Sequence, residues 1–336
     1  MNTADVKDLE SRGFVLIPSF LSEAELQLCR EDYASQPVNT SNRNYKLSPI
    51  MGKALETVQE RVREILALVT ASTNLCVNHP LGGSYFATGR GVEFAWHQDH
   101  ESFFSIQNHY DYLNFYIPIL KPRKDRSNLC VIPFDVLEKE SPRTFRKVVR
   151  GGATHFQRMG ARTMVFLDDT ASVHLMHKEL DGLAQAPELD PGDLLLMRGD
   201  VIHRTQDTET ERVSLSFRAA NSETLVHRSR LANGGLLKAW IMMNDAATYE
   251  RMFRAFDTAN KKAVPFAELQ DAMSGVNVSD MGRKRFFRYL LHQKRREHVL
   301  LRFFWTSFTT VAATLMAALT QRRRPHPAGA HATRAP

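Results

Sequence analysis

Apolar positions in the first seventy residues of the chain recur at helical spacing, and from about Gly83 they shorten into β-like runs. Gly13 to Leu21 is a short apolar run closed by turn residues, which reads as a strand. Ser22 follows, three residues before Glu25, and the pair can form a capping box at the start of a helix. Leu55, Val58, Val62, Ile65, Leu66 and Val69 share one helical face, predicting a second helix from about Met51 to Leu68. Between Gly83 and Phe217 the runs Leu113 to Ile119, Thr163 to Leu167 and Leu194 to Met197 are separated by Gly, Pro and Asp turns. Two leading helices followed by an antiparallel barrel or sandwich, an α+β class, is the architecture this order predicts.

With 336 residues, 43% of them hydrophobic, the chain can bury one large core and a smaller one. The net charge of +7 suggests a nucleic-acid partner only until it is divided along the sequence. Residues 280–336 hold twelve Lys/Arg and two acids, 12 − 2 = +10, so the first 279 residues carry 7 − 10 = −3. The basic excess belongs to the tail, and no nucleic-acid partner is expected for the main domain. Cys29, Cys76 and Cys130 are odd in number and widely spaced, which fits neither a disulfide framework nor a zinc site. The start of the chain has no secretory pattern, so a reducing, cytoplasmic setting is expected.

The chemistry gathers in two segments. His97 and Asp99 flank Gln98, and on an extended stretch both would project to one side while Gln98 points away. His203 follows 106 residues after His97, so a fold that joins distant strands is needed to make it a third donor. Two imidazoles and one carboxylate can hold Fe(II) on one face and leave the other open for oxygen and a co-substrate. Around His203, the turn at Pro191-Gly192-Asp193, the apolar Leu194 to Met197 and the turn at Arg198-Gly199-Asp200 predict a β-hairpin that delivers the histidine. In the next run Arg212, Ser214, Ser216 and Arg218 alternate with Val213, Leu215 and Phe217. Arg212 with Ser214 suits a small carboxylate, because a guanidinium offers two parallel hydrogen bonds and the hydroxyl a third. Arg218, roughly 20 Å further along an extended strand, cannot grip the same carboxylate and is expected to be structural. Tyr112 and Asn114 lie on the polar face of the strand after the first ligands, and Asn114 is a candidate contact for the co-substrate. His100, His109, His174 and His177 have no such partners and read as surface or core histidines, with His100 next to Asp99.

Gly13-Phe14 with Phe20-Leu21-Ser22, His97-x-Asp99, the Pro-Gly-Asp turn before His203 and Arg212-x-Ser214 together resemble the phytanoyl-CoA dioxygenase family over residues 10–220. That resemblance implies a double-stranded β-helix, or jelly roll, with N-terminal helices and a C-terminal helical extension. It implies Fe(II) held by His97, Asp99 and His203, with O2 and 2-oxoglutarate as co-substrates and Arg212 and Ser214 on the far carboxylate of 2-oxoglutarate. It also implies oxidation of a small-molecule or lipid-like substrate, with release of succinate and CO2. Related halogenases have a small residue where Asp99 stands, so hydroxylation is expected over chlorination. Ser127 to Asp135 departs from the family's usual turn in lacking a glycine and a histidine, so family substrates do not transfer. Cupins share part of the pattern but lack the Arg-x-Ser strand.

The expected organisation is an oxygenase unit over residues 1–230, a helical segment over 231–279, a basic and apolar helical tail over 280–321 and disorder over 322–336. Tyr249 to Met273 is similar to an EF-hand, with Asp257 and Glu268 at the first and last loop positions. Ala259, Lys261 and Lys262 stand where ligands and the turn glycine belong, so calcium binding is not expected. Phe303 to Gln321 is nineteen residues without a charge, flanked by arginines and lysines. Phe304, Trp305, Phe308, Val311, Leu315 and Leu319 fall on one side of its wheel, and Thr306, Ser307, Thr310 and Thr314 on the other. Segment 283–324 is therefore a candidate for an anionic membrane surface, peripheral rather than spanning. The alternative functional class is a membrane-associated binding or scaffold protein on an inactive oxygenase fold.

Overall fold

A computed structural model describes residues 1–37, 44–48, 51, 55–88, 94–108, 112–168, 172–207, 211–278 and 281–322. The chain opens with a helix that the apolar pattern did not predict, α1 (Thr3–Arg12). Its determinants are local: Asn2 and Asp5 form a reciprocal capping box, and Gly13 ends the helix in the left-handed region at φ 83°. Glycine is also required there for space, since a Cβ at Gly13 would lie 2.6 Å from the Phe134 ring. Next come β1 (Phe14–Ile17) and α2 (Glu23–Ser35), whose Ser22/Glu25 capping box forms as expected. After β2 (Asn44–Lys46), the second expected helix is α3 (Glu56–Ser72), which starts and ends later than the predicted span. Val58, Val62, Ile65, Leu66 and Val69 form its buried face, as the spacing requires.

The β region comprises β3 (His79–Thr88), then α4 (His100–Phe104), β4 (Tyr112–Leu120) and β5 (Leu129–Val131). Two short helices, α5 (Phe134–Glu140) and α6 (Pro142–Val148), interrupt what the sequence reading took as continuous β texture. Pro133 and Pro142 stand at their starts, where a missing N–H costs nothing. The strands continue as β6 (Ala153–Met159), β7 (Arg162–Leu167), β8 (Val173–Met176), β9 (Leu194–Arg198), β10 (His203–Thr205) and β11 (Arg212–Ala220). One six-stranded sheet has the order β1-β9-β4-β11-β3-β2, and β10-β5 and β6-β7-β8 form smaller sheets. Every pairing among the described strands is antiparallel.

Alternation along β4 assigns the layers. Leu113, Phe115, Ile117 and Ile119 join Leu26, Val58, Val62 and Leu66 in a core between the large sheet and the leading helices. Tyr116, with Leu195 and Met197 of β9, faces the opposite way into a second core with Val131, Ile132, Phe134 and Val165. The site lies on this second face.

The hairpin expected around His203 does not form. β9 pairs with β1 and β4, whereas β10 pairs with β5, so the turn at Gly199-Asp200 hands the chain from the large sheet to a small one. A buried ion pair makes that crossing: Arg198 Nε and Nη2 donate to the two carboxylate oxygens of Asp200 at 3.0 and 2.7 Å. With the carboxylate engaged inside the turn, β9 and β10 diverge instead of folding back on each other.

Beyond β11 the extension comprises β12 (Leu225–His227), α7 (Arg228–Ala232), α8 (Leu236–Asn244), α9 (Ala246–Ala259), β13 (Ala263–Pro265), α10 (Phe266–Ser274), α11 (Arg283–Arg296) and α12 (Leu300–Arg322). It shares one apolar cluster with the β region, in which Phe103, Phe104 and Tyr112 pack with Tyr249, Phe253, Phe286 and Phe303. In the EF-hand-like segment the two loop carboxylates already have cationic partners: Asp257 pairs with Arg228 and Arg296, and Glu268 with Lys261 at 2.7 Å. The disorder expected for 322–336 concerns residues that, apart from the last residue of α12, lie outside those described, as does His109.

Candidate active site

The two histidine segments meet through the backbone. His97 N–H donates to the His203 carbonyl at 3.0 Å and His203 N–H donates to that of His97 at 2.9 Å, an isolated antiparallel bridge. Residues paired in this way present their side chains to the same side, and the two rings lie 4.4 Å apart. Asp99 completes the group: its Oδ1 is 3.8 Å from His97 Nε2 and 3.6 Å from His203 Nε2. One donor atom from each residue falls within 4.8 Å of the others.

Each imidazole is oriented by its other nitrogen. His97 Nδ1 lies 2.7 Å from the Ala95 carbonyl and His203 Nδ1 lies 3.0 Å from that of Val201. A carbonyl can only accept, so both Nδ1 atoms carry hydrogen and both Nε2 lone pairs turn toward Asp99. Asp99 is oriented in turn by Asn114, whose Nδ2 donates to Oδ2 at 2.6 Å and leaves Oδ1 facing the imidazoles. Desolvation, reinforced by His203, holds the His97 imidazole down at about 4. Burial pushes the Asp99 carboxyl up, but His203, Arg218 and His97 outweigh it and hold the group at about 2. A neutral imidazole beside an ionised carboxylate is the protonation state a divalent cation needs. A half-buried carboxylate beside two inward imidazole lone pairs fits Fe(II) through a facial set of three donors.

Gln98 points away from the donors, as the alternation predicted, and it anchors the segment. Its Nε2 donates to the carbonyls of Val148 and Asp200 at 2.9 and 2.7 Å, and its Oε1 accepts from Ala153 N–H at 2.7 Å. Sequence spacing gave its direction but no hint of these three distant partners.

The triad opens into a cavity of about 310 Å³. Arg212, Ser214, Ser216 and Arg218 all line it, while Val213, Leu215 and Phe217 belong to the core behind the sheet, with Phe217 also reaching the cavity. Arg212 is buried, and its Nη1 donates to the Ser127 and Asn128 carbonyls at 3.1 and 2.5 Å. The stretch that departs from the family pattern therefore supports this arginine through its backbone, where side-chain identity matters least. Ser214 Oγ donates weakly to the Phe86 carbonyl at 3.4 Å. Asn114, the other co-substrate candidate, lines the same cavity, but its observed contact is with Asp99.

Arg218 belongs to the site and not to the scaffold alone. It lies opposite Asn114 across the β11/β4 pair, near Asp99 and Glu101, and its Nε has no hydrogen-bond partner among the described residues. Strand alternation had placed it on the inward face. His100 also lines the cavity, and Tyr249 of α9 reaches it with the phenol oxygen 2.9 Å from Nδ1. Adjacency to Asp99 was the one sequence signal for His100, and the tyrosine, 149 residues away, had none.

No protein-family model matches the chain, and no curated protein matches it. Among solved structures it is similar to HygX from Streptomyces hygroscopicus, a structure with nickel and 2-oxoglutarate bound. That match has 16% identity over 66% of this chain and 88% of the other, with a TM-score of 0.42. EvdO2 from Micromonospora carbonacea var. aurantiaca, complexed with 2-oxoglutarate, matches at 16% identity over 66% and 91%, TM-score 0.43. A Pseudomonas putida prolyl-4-hydroxylase matches at 15% over 66% and 99%, TM-score 0.43. These likenesses are too distant to bear on this chain's chemistry, which its own residues define.

Proposed function

We propose that the protein is an Fe(II)/2-oxoglutarate-dependent oxygenase, similar to the phytanoyl-CoA dioxygenases, with a double-stranded β-helix core within residues 1–230. It hydroxylates a small molecule and releases succinate and CO2. The observation that carries this reading is the arrangement of two Nε2-directed imidazoles and one Asn114-oriented carboxylate, with a buried arginine in the same cavity.

Fe(II), held by His97, Asp99 and His203, would supply the redox centre at which O2 is activated as 2-oxoglutarate is decarboxylated. The protein's share is positioning. Arg212, fixed by the Ser127 and Asn128 carbonyls, would meet the distal carboxylate of 2-oxoglutarate, and the Ser214 hydroxyl would add a hydrogen bond. Asn114 holds Oδ2 of Asp99, so that Oδ1 would be the oxygen available to the metal. Phe86 and Phe94 give the cavity an apolar wall, and Arg218 and Glu101 offer polar recognition to the substrate. A volume of about 310 Å³ is at the low end of the range for small-molecule sites. It favours a compact substrate, or one that inserts a single arm.

The test is an anaerobic titration of the purified protein with Fe(II) and 2-oxoglutarate, followed by the visible metal-to-ligand charge-transfer band. The band is expected for the wild type, with Arg212→Met requiring far more 2-oxoglutarate. Folded protein that binds Fe(II) yet develops no band at millimolar 2-oxoglutarate overturns the reading.

A further inference from the structure

Helix α12 is built inside out for a protein surrounded by water. Apart from Phe303 at its start, the side docked on the body is made of small and hydroxylated residues: Thr306 and Ala317 are buried with Phe303, and Ser307, Thr310 and Thr314 alongside them are half-buried. The hydroxyls of Thr306, Ser307, Thr310 and Thr314 donate back to carbonyls of their own helix, so their hydrogens need no acceptor from the body. The opposite side carries Leu301, Phe304, Trp305, Phe308, Leu315 and Leu319, each between 54% and 86% exposed. A helix that packs for stability alone turns its large apolar side chains inward. Here the sequence had that option, since the two faces are distinct, and the structure takes the reverse.

The patch extends past the helix. Leu236 N–H of α8 donates to Ser307 Oγ at 3.0 Å, and Leu236 and Trp240, one turn apart, are both exposed. A contiguous apolar surface of this kind marks a place of contact. The charge around it favours one partner. From Arg283 to Arg322 the sequence has nine Lys/Arg against one acid, Glu297, which is engaged by Arg228. Arg302 is exposed beside Trp305, and Phe287 of α11 packs on Phe303, which brings the exposed Lys284 and Arg288 to the start of the helix. Large apolar and aromatic side chains with a basic border are complementary to an anionic lipid surface. Leu300–Leu319 is long and apolar enough to cross a membrane, but contacts with α8, α11 and β8 hold its inner face against the body from Phe303 to Ala317. The helix can therefore sink only its outer face.

We propose that α12, with Leu236 and Trp240, seats the protein on an anionic lipid surface, the helix lying in the plane of the interface. This inference is independent of the oxygenase reading, since none of the residues it uses lines the cavity. It is tested by flotation of the full-length protein with vesicles of phosphatidylcholine alone and with about one third phosphatidylglycerol. Wild type is expected to float with the anionic vesicles and to be released by high salt. The exposed triple variant F304S/W305S/F308S should bind at least tenfold more weakly while keeping its circular dichroism and melting temperature. K284E/R288E should weaken binding by roughly fivefold or more per charge removed from the surface. Wild type that stays at the bottom of the gradient with both vesicle types overturns the proposal. So does a triple variant that floats as well as wild type. A wild-type dimer in sedimentation equilibrium that the triple variant converts to monomer, without any flotation, assigns the face to a second copy instead and also overturns it.

Discussion

Replacing Gln98 with leucine tests whether the segment between the ligands is held by its own buried amide. The side chain is 1% exposed and makes three hydrogen bonds, to the carbonyls of Val148 and Asp200 and from the N–H of Ala153. Leucine has similar bulk, so the packing loss is small and the effect comes from backbone groups left without partners. Val148 O keeps a long bond from Gly151 N–H at 3.3 Å, which softens its loss. At roughly 1–3 kcal/mol for each buried group left unmade, the other two groups dominate, and the sum is about 2–6 kcal/mol. With a slope of roughly 2–4 °C per kcal/mol, Q98L should melt on the order of 10 °C below wild type. Fe(II) affinity should fall with it by roughly 10–100-fold, the usual range for groups that orient ligands. The assay is differential scanning calorimetry of the apoprotein, paired with anaerobic Fe(II) titration at a temperature where both proteins are folded. A variant that melts within about 2 °C of wild type and binds Fe(II) equally well would refute the idea that these bonds hold the ligand segment.

Asn114→Leu should cut Fe(II) affinity by roughly 10–100-fold with little change in melting temperature, because its bond to Asp99 orients the ligand; isothermal titration under anaerobic conditions reads this. Arg212→Met should raise the 2-oxoglutarate concentration for half-maximal charge-transfer absorbance by roughly 100-fold, and Ser214→Ala by less than about tenfold, since one contact is charge-assisted and the other neutral. Acid should weaken the fold through Glu25. Burial pushes its carboxyl up, but Arg61 and Ser22 prevail and hold it at about 2. A depressed carboxylate pKa stabilises the native state above the unfolded value near 4.5 and loses that contribution as pH falls toward 2. Its exposure to solvent limits the effect to about 1–2 kcal/mol. Urea melts from pH 6 to 3 should show a shallower acid decline in Glu25→Gln.

Much of the donor set was legible because it depends on short-range geometry. Alternation around Gln98 and along Arg212 to Arg218 assigns faces whatever the tertiary fold, and α3 buries the face that its periodicity marks. Two of the misses have a common cause. Whether β9 and β10 pair with each other depends on which neighbour offers each strand a better edge, and β1, β4 and β5 do so from far along the chain. The link between Tyr249 and His100 is likewise a product of the extension packing on α4. α1 was missed for the opposite reason: its signal is the Asn2/Asp5 cap and Gly13, with Val6 and Leu9 its only buried residues.

The ion pair at the crossing from β9 to β10 also bears on how the protein can change over time. Asp200 is fully buried and receives Arg198 through two bonds, while its second oxygen also accepts from Arg150 N–H and its carbonyl from Gln98. Arg198 in turn lies over the Phe134 ring, 4.8 Å from its centroid. Loss of either partner strands a charge in the interior at roughly 3–5 kcal/mol, a large fraction of a domain's stability, whereas joint replacement by apolar residues need not be costly. Positions 198 and 200 therefore form a single unit of inheritance. A lineage can leave this arrangement only by a double step, and every route through one substitution passes through a chain with both histidine segments loosened.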